Sequence, residues 1–200
     1  MNRLIIVGAS GHGKVVADIA RLNGYEEIVF LDDNSSLHHC MEYPVVGQTD
    51  MLKPLDGDLF VAIGNAELRS RIMNAHTDRS FPRLIHPSAV VADSAQLGEG
   101  TVVMAGAVIN PDTVIGRGCI INTASSVDHD CHLGNFVHVA VGAHLCGTVE
   151  VQDYTWIGAG TTVSNNLHIT ERCMIGAGSL VIKDITASGT YFGSPARKRI

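Results

Sequence analysis

Residues 109–127 read INPDTVIGRGCIINTASSV, with an aliphatic residue at every sixth position. The same spacing holds from residue 85 to residue 181 without a change of register. All seventeen residues in this series are isoleucine, valine or leucine: Ile85, Val91, Leu97, Val103, Ile109, Ile115, Ile121, Val127, Leu133, Val139, Leu145, Val151, Ile157, Val163, Ile169, Ile175 and Val181. Ordinary strands alternate with a period of two, so a strict period of six predicts a solenoid of stacked coils.

Each six-residue unit is expected to form one flat side of a triangular prism, with its aliphatic residue pointing inward. Three units then make an 18-residue coil, and successive coils stack about 4.8 Å apart. Four positions after each aliphatic residue comes a second series in which only Leu167 is bulky: Ala89, Ala95, Thr101, Ala107, Thr113, Cys119, Ser125, Cys131, Val137, Ala143, Val149, Thr155, Thr161, Leu167, Cys173 and Ser179. These small residues fit near the corners, where bulk would clash.

Glycines recur one position after the aliphatic residue, at Gly98, Gly116, Gly134, Gly158 and Gly176. A residue without a Cβ is favoured where the backbone turns sharply. We therefore expect the tight corners of the coil at these positions.

The first 80 residues have a different pattern, in which buried strands alternate with helices. Strands are predicted at residues 3–7, 28–31 and 59–63, and helices at residues 14–23 and 66–74. This alternation predicts a doubly wound parallel sheet. The expected fold is thus a small Rossmann-like parallel α/β domain (residues 1–80) followed by a parallel β-helix domain with a short tail (residues 81–200).

A glycine-rich loop, Gly8-x-x-Gly11-x-Gly13, separates the first strand from the first helix. Such a loop offers backbone N–H groups and a helix N-terminus to a phosphate. Asp32 and Asp33 end the second strand, where an acid can meet a ribose hydroxyl or a base edge. We interpret the domain as a binder of one nucleotide; the alternative is a packing domain whose glycines only make tight turns. His12, inside the loop, is either a ligand-binding residue or a bystander.

Composition excludes several classes of function. The net charge is −6 and no basic stripe occurs, so nucleic acid is not an expected partner. No apolar stretch is long enough to span a bilayer, and the first residues do not form a signal peptide. The sequence has five cysteines, and no two of them form a CxxC motif. This pattern is typical of reduced thiols in a cytoplasmic protein.

His129 is the foremost candidate for chemistry, since it lies between two acids in the segment 127–130 (VDHD). A carboxylate beside an imidazole orients the ring and raises its basicity, which suits a general base. The alternative is an exposed polar corner. Four other histidines compete for the role: His132, His138, His144 and His168.

A metal site is the main rival chemistry, because γ-class carbonic anhydrases also use a hexapeptide β-helix and bind zinc with three histidines across a subunit interface. His132, His138 and His144 follow one another at steps of six and therefore fall on three different sides of the prism. They cannot converge within one chain, as a zinc site requires, although a site between neighbouring subunits stays open. Those enzymes also need no nucleotide domain, and no metal is expected.

Five segments together resemble a known family: residues 8–13 (GASGHG), 30–33 (FLDD), 62–65 (AIGN), 125–130 (SSVDHD) and 192–196 (FGSPA). The whole chain resembles the bacterial nucleotide-amino-sugar acetyltransferases. It is most similar to the UDP-4-amino-sugar N-acetyltransferases that make N-acetylated bacillosamine for protein glycosylation; sialic-acid O-acetyltransferase-like proteins share the architecture. The resemblance implies a left-handed β-helix, acetyl-CoA as co-substrate, and a homotrimer with acetyl-CoA between adjacent β-helices.

The resemblance also implies roles for individual residues. His129 matches the general base, and Asp130 matches an acidic neighbour, often glutamate, that raises the pKa of the base. The residues that match the family's UDP-binding positions are Ser10, Gly11, His12, Asp32, Asp33 and Gly64. The residues that match positions lining the acetyl-CoA site are His138, Ala159 and Ala177. Gly147 lies 18 residues after His129 and is a candidate oxyanion donor in that site.

The predicted reaction is direct transfer in a ternary complex, in which the 4-amino group of a UDP-4-amino-4,6-dideoxy sugar attacks the thioester and His129 takes the proton. The alternatives are O-acetylation of a sialic acid, N-acetylation of a dTDP- or GDP-linked 4-amino sugar, and a nucleotide-sugar-binding accessory protein without turnover. The nucleotide base, the sugar stereochemistry and the destination of the product stay open. The basic tail, residues 196–199 (ARKR), is either solvated or in contact with the phosphates of CoA.

Overall fold

The computed structural model describes residues 2–53 and 55–199. Its N-terminal part is a five-stranded sheet of order β3-β4-β2-β1-β5. The strands are β1 (Arg3–Val7), β2 (Glu27–Leu31), β3 (His39–Cys40), β4 (Tyr43–Gly47) and β5 (Asp58–Val61), joined by helices α1 (Gly11–Leu22) and α2 (Ala66–Ala75) and a 3-10 turn at Thr49–Leu52. All strand pairs are parallel except β3–β4.

The two helices cover opposite faces of this sheet. Along β1, Leu4 and Ile6 pack on the side of α1, whereas Ile5 and Val7 pack on the side of α2. The predicted Rossmann-like fold is therefore confirmed. The structure adds an edge hairpin, β3–β4, and starts α1 at Gly11 because Ser10 is in an extended conformation immediately before it.

The second part is a left-handed parallel β-helix with three sides. Side 1 contains β6 (Leu84–Ile85), β9 (Val102–Val103), β12 (Ile120–Ile121), β15 (His138–Val139), β18 (Trp156–Ile157) and β21 (Cys173–Ile175). Side 2 contains β7 (Val90–Val91), β10 (Val108–Ile109), β13 (Ser126–Val127), β16 (His144–Leu145), β19 (Thr162–Val163) and β22 (Leu180–Val181). Side 3 contains β8 (Gln96–Leu97), β11 (Val114–Ile115), β14 (His132–Leu133), β17 (Glu150–Val151) and β20 (His168–Ile169).

Strand pairing confirms the 18-residue coil. Val108 pairs with Ser126, and Ser126 pairs with His144. From Val103 to Val181, every aliphatic residue of the six-residue series is at most 3% exposed. The small residues of the second series lie beside them in the same core, so each coil is stabilised mainly by its two neighbours.

The glycines predicted at the tight corners are present for a different reason from the one expected. The backbone adopts a positive φ three positions after the aliphatic residue, as at Asp112 (61°) and Thr148 (60°), and not at the predicted glycines. The predicted glycines are instead places of close approach between coils. A Cβ at Gly116 would lie 2.6 Å from the carbonyl oxygen of Gly134, and a Cβ at Gly158 would lie 2.7 Å from the amide nitrogen of Ala177.

Side 1 carries the N-terminal domain. Leu84, Val102 and Ile120 project from it into one apolar cluster with Phe30 and α1. The Asn23 side chain, at the end of α1, bonds the backbone N–H and carbonyl of Ile85 at 3.1 and 2.8 Å. The two domains therefore pack against each other through apolar and hydrogen-bonded contacts.

The chain ends in a hairpin, in which β23 (Gly189–Phe192) continues side 1 and β24 (Arg197–Lys198) pairs with it antiparallel. The basic tail thus includes a strand at the last coil. Within residues 2–53 and 55–199, no helix is both long enough and apolar enough to cross a membrane.

Candidate active site

A cavity of 220 Å³ lies at the carboxyl ends of β1 and β2, the edge at which open parallel sheets bind ligands. It is lined by Val7, Gly8, Ser10, Leu31, Asp32, Asp33, Thr49, Ala62, Ile63 and Gly64. Gly8 has a φ of 107°, and a Cβ there would lie 2.7 Å from the carbonyl oxygen of Ala62. A Cβ at Gly11 or Gly64 would meet no atom within 4 Å. Packing therefore does not require glycine at these two positions, which leave room for a ligand.

The two neighbouring acids of this cavity have different tasks. Asp32 accepts the Ala9 N–H at 2.7 Å through Oδ2 and the Asn34 N–H at 2.9 Å through Oδ1, so it ties the glycine loop to the end of β2. Asp33 accepts the Thr49 N–H at 3.0 Å through Oδ1, and this bond lowers the pKa of its carboxyl group. Asp33 is exposed and ionised, so its other oxygen can accept a hydrogen bond from a ligand.

His12 lies in the first turn of α1 and is mostly buried. Its Nε2 has no hydrogen-bond partner among the residues that the structure describes. Burial, and secondly the positive charge of Arg69, lower the pKa of His12 to about 4. His12 is thus a neutral imidazole at pH 7 with one nitrogen unused.

A second cavity, of 430 Å³, lies at the junction of the two domains. Residues from the start of α2 form one wall, and residues from side 1 and the adjacent corner form the other: Gly64, Asn65, Ala66, Glu67, Phe136, His138, Tyr154, Thr155, Trp156, Arg172, Cys173 and Met174. Gly64 lines both cavities, so they lie on either side of the same turn. Together they make a cleft that is polar at the sheet and aromatic at the β-helix.

His138 is held in a defined tautomer in the second cavity. Asn122 accepts the Thr123 N–H through Oδ1, which leaves its Nδ2 at 3.1 Å from His138 Nε2. Because an amide nitrogen only donates, Nε2 accepts and the proton resides on Nδ1. Nδ1 is buried and has no acceptor in the described part of the chain. The ring packs on Trp156 with centroids 4.6 Å apart, and burial lowers its pKa to about 3.

His129 lies on the corner between sides 2 and 3, with 57% of its side chain exposed. Its Nδ1 bonds Asp130 Oδ2 at 2.7 Å, and its backbone N–H donates to Asp128 Oδ1 at 2.8 Å. Asn110 in turn donates to Asp128 at 2.7 Å. The hydrogen bond that His129 donates to Asp130, and secondly the charge of Asp128, raise the pKa of His129. Asp130 is therefore long enough to orient the ring, and Nε2 is left free to take a proton.

Gly147 lies directly against the His129 ring, one coil further along. The Thr148 N–H donates to the His129 carbonyl at 2.9 Å, which places the two residues in adjacent coils. A Cβ on Gly147 would lie 2.6 Å from both Cε1 and Nε2 of the imidazole. The observed position of the ring, and not the backbone conformation, therefore leaves no room for a Cβ at residue 147.

The other residues assigned to the acetyl-CoA site lie elsewhere on the prism. Ala159 and Ala177 are exposed, one coil apart, on the corner between sides 1 and 2. His129 and Gly147 lie on the corner between sides 2 and 3, and His138 lies on side 1. A single chain therefore separates His129 from the Ala159–Ala177 corner by the full width of side 2.

The competing histidines do not form a cluster. His132, His138 and His144 lie on sides 3, 1 and 2, as the spacing predicts. His144 bonds Ser126, and His168 bonds Glu150. In the described part of the chain, no group of three or more His, Cys, Asp or Glu side chains is placed to hold a metal ion.

With this geometry established, comparison with known proteins decides the family. The acetyltransferase domain of PglB from Neisseria gonorrhoeae, solved with acetyl coenzyme A, is 40% identical, and the match covers 100% of both chains with a TM-score of 0.95. This chain belongs to the hexapeptide-repeat sugar N-acetyltransferases. Residues 3–76 of this acetyltransferase match the PglD N-terminal domain family.

Two further relatives are described by an amino sugar in their name or in their structure. PerB from Caulobacter crescentus, solved with CoA and GDP-perosamine, is 37% identical over 100% of this chain and 98% of its own, with a TM-score of 0.93. UDP-N-acetylbacillosamine N-acetyltransferase from Bacillus subtilis is 37% identical over 114 residues. The latter match spans about half of each protein, 52% in both cases. The resemblance inferred from the sequence is confirmed, and so is the acetyl-CoA-dependent enzyme class.

Three residues of the site were not predicted. Asn122 could have been found from the 18-residue coil, because it comes two positions after Ile120, which pairs with His138 in the next strand. Trp156 could have been found in the same way, since it pairs with His138 in the next strand. Arg69 gave no such signal, because its burial depends on how α2 packs against the β-helix.

Proposed function

We propose that this acetyltransferase moves the acetyl group of acetyl-CoA to the 4-amino group of a UDP-4-amino-4,6-dideoxy sugar, with His129 as general base. The observation that carries the proposal is the His129 imidazole, whose Nδ1 bonds Asp130 at 2.7 Å while its Nε2 faces solvent above Gly147. An oriented imidazole with a free nitrogen is what proton removal from an amine requires.

The proposed chemistry is a single acyl transfer. The neutral amine attacks the thioester carbonyl, the new C–N bond forms, and the proton of the amine passes to His129 Nε2. The tetrahedral oxyanion is stabilised by the backbone N–H of Gly147, which has no other hydrogen-bond partner among the described residues. Collapse breaks the C–S bond, and the imidazolium returns its proton to the departing thiolate of CoA.

The nucleotide sugar is proposed to lie along the cleft, with its base and ribose in the first cavity. Asp33 offers a carboxylate oxygen to N–H groups of the base or hydroxyl groups of the ribose. Ser10, Gly11 and His12 are near the phosphates, with Asp32 holding the loop in place. Past Gly64 the sugar reaches the aromatic second cavity. There the buried Nδ1–H of His138 supplies a donor to acetyl-CoA, the ligand to which the resemblance assigns this residue.

The complete site is proposed to form between two copies of the chain in a homotrimer. His129 and Gly147 lie on one corner of the prism, and Ala159 and Ala177 lie on another. Acetyl-CoA can contact both corners only if they belong to neighbouring subunits. The five free cysteines, four of them buried, support a cytoplasmic location.

The first experiment measures thiol release from acetyl-CoA with UDP-, dTDP- and GDP-linked 4-amino sugars and with free sialic acid. We expect turnover with the UDP sugar and its loss in His129→Ala. The matched control is His168→Ala, which removes a half-buried histidine on side 3 that also bonds an acidic residue. Turnover only with the GDP sugar would correct the nucleotide, and turnover only with sialic acid would correct the acceptor. Full activity in His129→Ala would refute the assigned base.

A second experiment tests the shared site. His129→Ala and Ala177→Trp should each be inactive, because one lacks the base and the other fills the exposed corner. When the two proteins are unfolded together and refolded, mixed trimers should regain part of the activity, since some sites then combine an intact corner from each chain. No recovery, or a monomer in analytical ultracentrifugation, would contradict the intersubunit site.

A further inference from the structure

Arg69, on α2, is a charged side chain with 1% of its surface exposed. Its Nε donates to the carbonyl of Gly118 at 2.7 Å, and its Nη2 donates to the carbonyl of Phe136 at 3.0 Å. Its Nη1 donates to the carbonyls of Ile63 at 2.6 Å and Gly64 at 3.0 Å. One guanidinium thus joins the Ile63–Gly64 turn of the first domain to two corner turns of the β-helix.

The charge of Arg69 is not neutralised by its hydrogen bonds. All four acceptors are neutral carbonyls, and no carboxylate forms an ion pair with it in the described residues. Burial lowers its pKa to about 10, so the group stays protonated at pH 7. Glu67, which pairs with Arg172, acts on the charge of Arg69 without forming an ion pair with it. A buried cation without an ion-pair partner is costly to fold, which indicates that the charge serves the site.

The position of Arg69 connects it to both cavities. Two of its acceptors, Ile63 and Gly64, line the first cavity, and Gly64 and Phe136 line the second. Its charge also reaches the two buried histidines on either side of the turn, since it helps to lower the pKa of His12 and of His138. One buried positive charge therefore lies beside the turn between the two cavities, while both of their imidazoles are neutral.

We propose that Arg69 is a positioning residue whose buried charge has the diphosphate of the nucleotide substrate as its counter-ion, and whose fork of hydrogen bonds holds the Ile63–Gly64 turn in place for it. The inference rests on the proposed nucleotide-sugar substrate. In such a substrate the diphosphate joins nucleoside and sugar, so it crosses Gly64, the residue common to both cavities. Asp33 acts on the nucleoside, at the far end from this charge.

The test compares ligands that differ only in the diphosphate. Calorimetry measures binding of UDP and uridine, and of GDP and guanosine, to the full-length protein and to Arg69→Gln and Arg69→Lys. The matched control is Arg117→Gln, which removes an arginine that also bonds α2 and lies 5.8 Å from the Phe136 ring but lines neither cavity. Thermal unfolding of each variant is recorded alongside.

We expect Arg69→Gln to weaken the binding of nucleoside diphosphates about tenfold, which is the order expected when one partly screened charge interaction is lost. The affinity for the nucleoside should stay within about twofold of that of the unmodified protein. Arg69→Lys should keep most of the preference for the diphosphate, because the charge remains, and should lower the melting temperature, because the fork is lost. Arg117→Gln should change neither binding constant.

Equal losses for diphosphate and nucleoside in Arg69→Gln would overturn the proposal and leave Arg69 a purely structural residue. If Arg69→Gln does not fold, the unmodified protein and Arg69→Lys test the proposal. It is refuted if the unmodified protein binds UDP or GDP no more tightly than the corresponding nucleoside. It is also refuted if Arg69→Lys loses the preference for the diphosphate. Because no acetyl transfer is measured, a protein that binds the diphosphate through Arg69 but acetylates no amino sugar would refute only the proposed function.

Discussion

Replacing Gly147 by alanine should inactivate the enzyme without destabilising it. The added Cβ would lie 2.6 Å from Nε2 and Cε1 of His129. Non-bonded carbon atoms rest about 3.6 Å apart, so the ring must move by about 1 Å. It cannot do so and keep its 2.7 Å hydrogen bond to Asp130 unchanged. The variant therefore displaces the nitrogen that is proposed to take the proton.

A displacement of about 1 Å at a reacting group costs about 100-fold in rate, or about 2.7 kcal/mol of transition-state stabilisation. The loss should appear in kcat, with the KM for acetyl-CoA changed little. Gly147 has no positive φ, so alanine is compatible with the backbone and stability should be unchanged or slightly higher. Thiol release under steady-state conditions and thermal unfolding measure the two quantities.

A double-mutant cycle decides whether the ring is the cause. In a His129→Ala background there is no imidazole to displace, so adding Gly147→Ala should cost nothing more. An equal loss with and without His129 would refute the reasoning, because the added methyl group would then act through something else. Wild-type activity in the single variant would refute it as well.

Three further outcomes are expected. Asp130→Asn should move the acid limb of the kcat/KM profile to lower pH. Asp130 raises the pKa of His129, and a general base works only when it is unprotonated, so without the carboxylate His129 becomes active at lower pH. An acid limb that does not move would argue against His129 as the base. Gly147→Pro, which also removes the N–H, should lose activity beyond Gly147→Ala; equal rates would exclude the oxyanion role. Arg197→Ala combined with Lys198→Ala should raise the KM for acetyl-CoA alone, because β24 lies at the end of the coil stack where the CoA phosphates are expected; an unchanged KM would leave the tail a structural strand.

The β-helix could be predicted from the sequence because position within the repeat determines the environment of each residue. An aliphatic residue every sixth position is enough to place Val127 inside and His129 on a corner. The same arithmetic predicts contacts between residues 18 apart, such as His138 and Trp156. The corner glycines show its limit: composition indicated a constrained position but not whether the constraint was a positive φ or a close approach between coils.

The junction of the two domains could not be predicted in this way. Arg69 occurs in the polar segment 67–71 (ELRSR) and has the pattern of an exposed helical residue. It is buried because α2 packs against corner turns at Gly118 and Phe136, which are about 50 and 67 positions away. The β3–β4 hairpin was missed because its strands are short and one contains Pro44, which argues against a strand. Both features depend on tertiary packing and not on local periodicity.

The 18-residue coil also restricts which insertions and deletions this gene could tolerate. Adding six residues after Val163 would rotate everything downstream by one third of a turn and carry Ala177 to a different corner. Adding a whole coil would leave every downstream side chain on its original face and move it along the axis by about 4.8 Å. Length variation among descendants of this sequence should therefore concentrate in multiples of eighteen, or in corner loops that bulge outward without shifting the register.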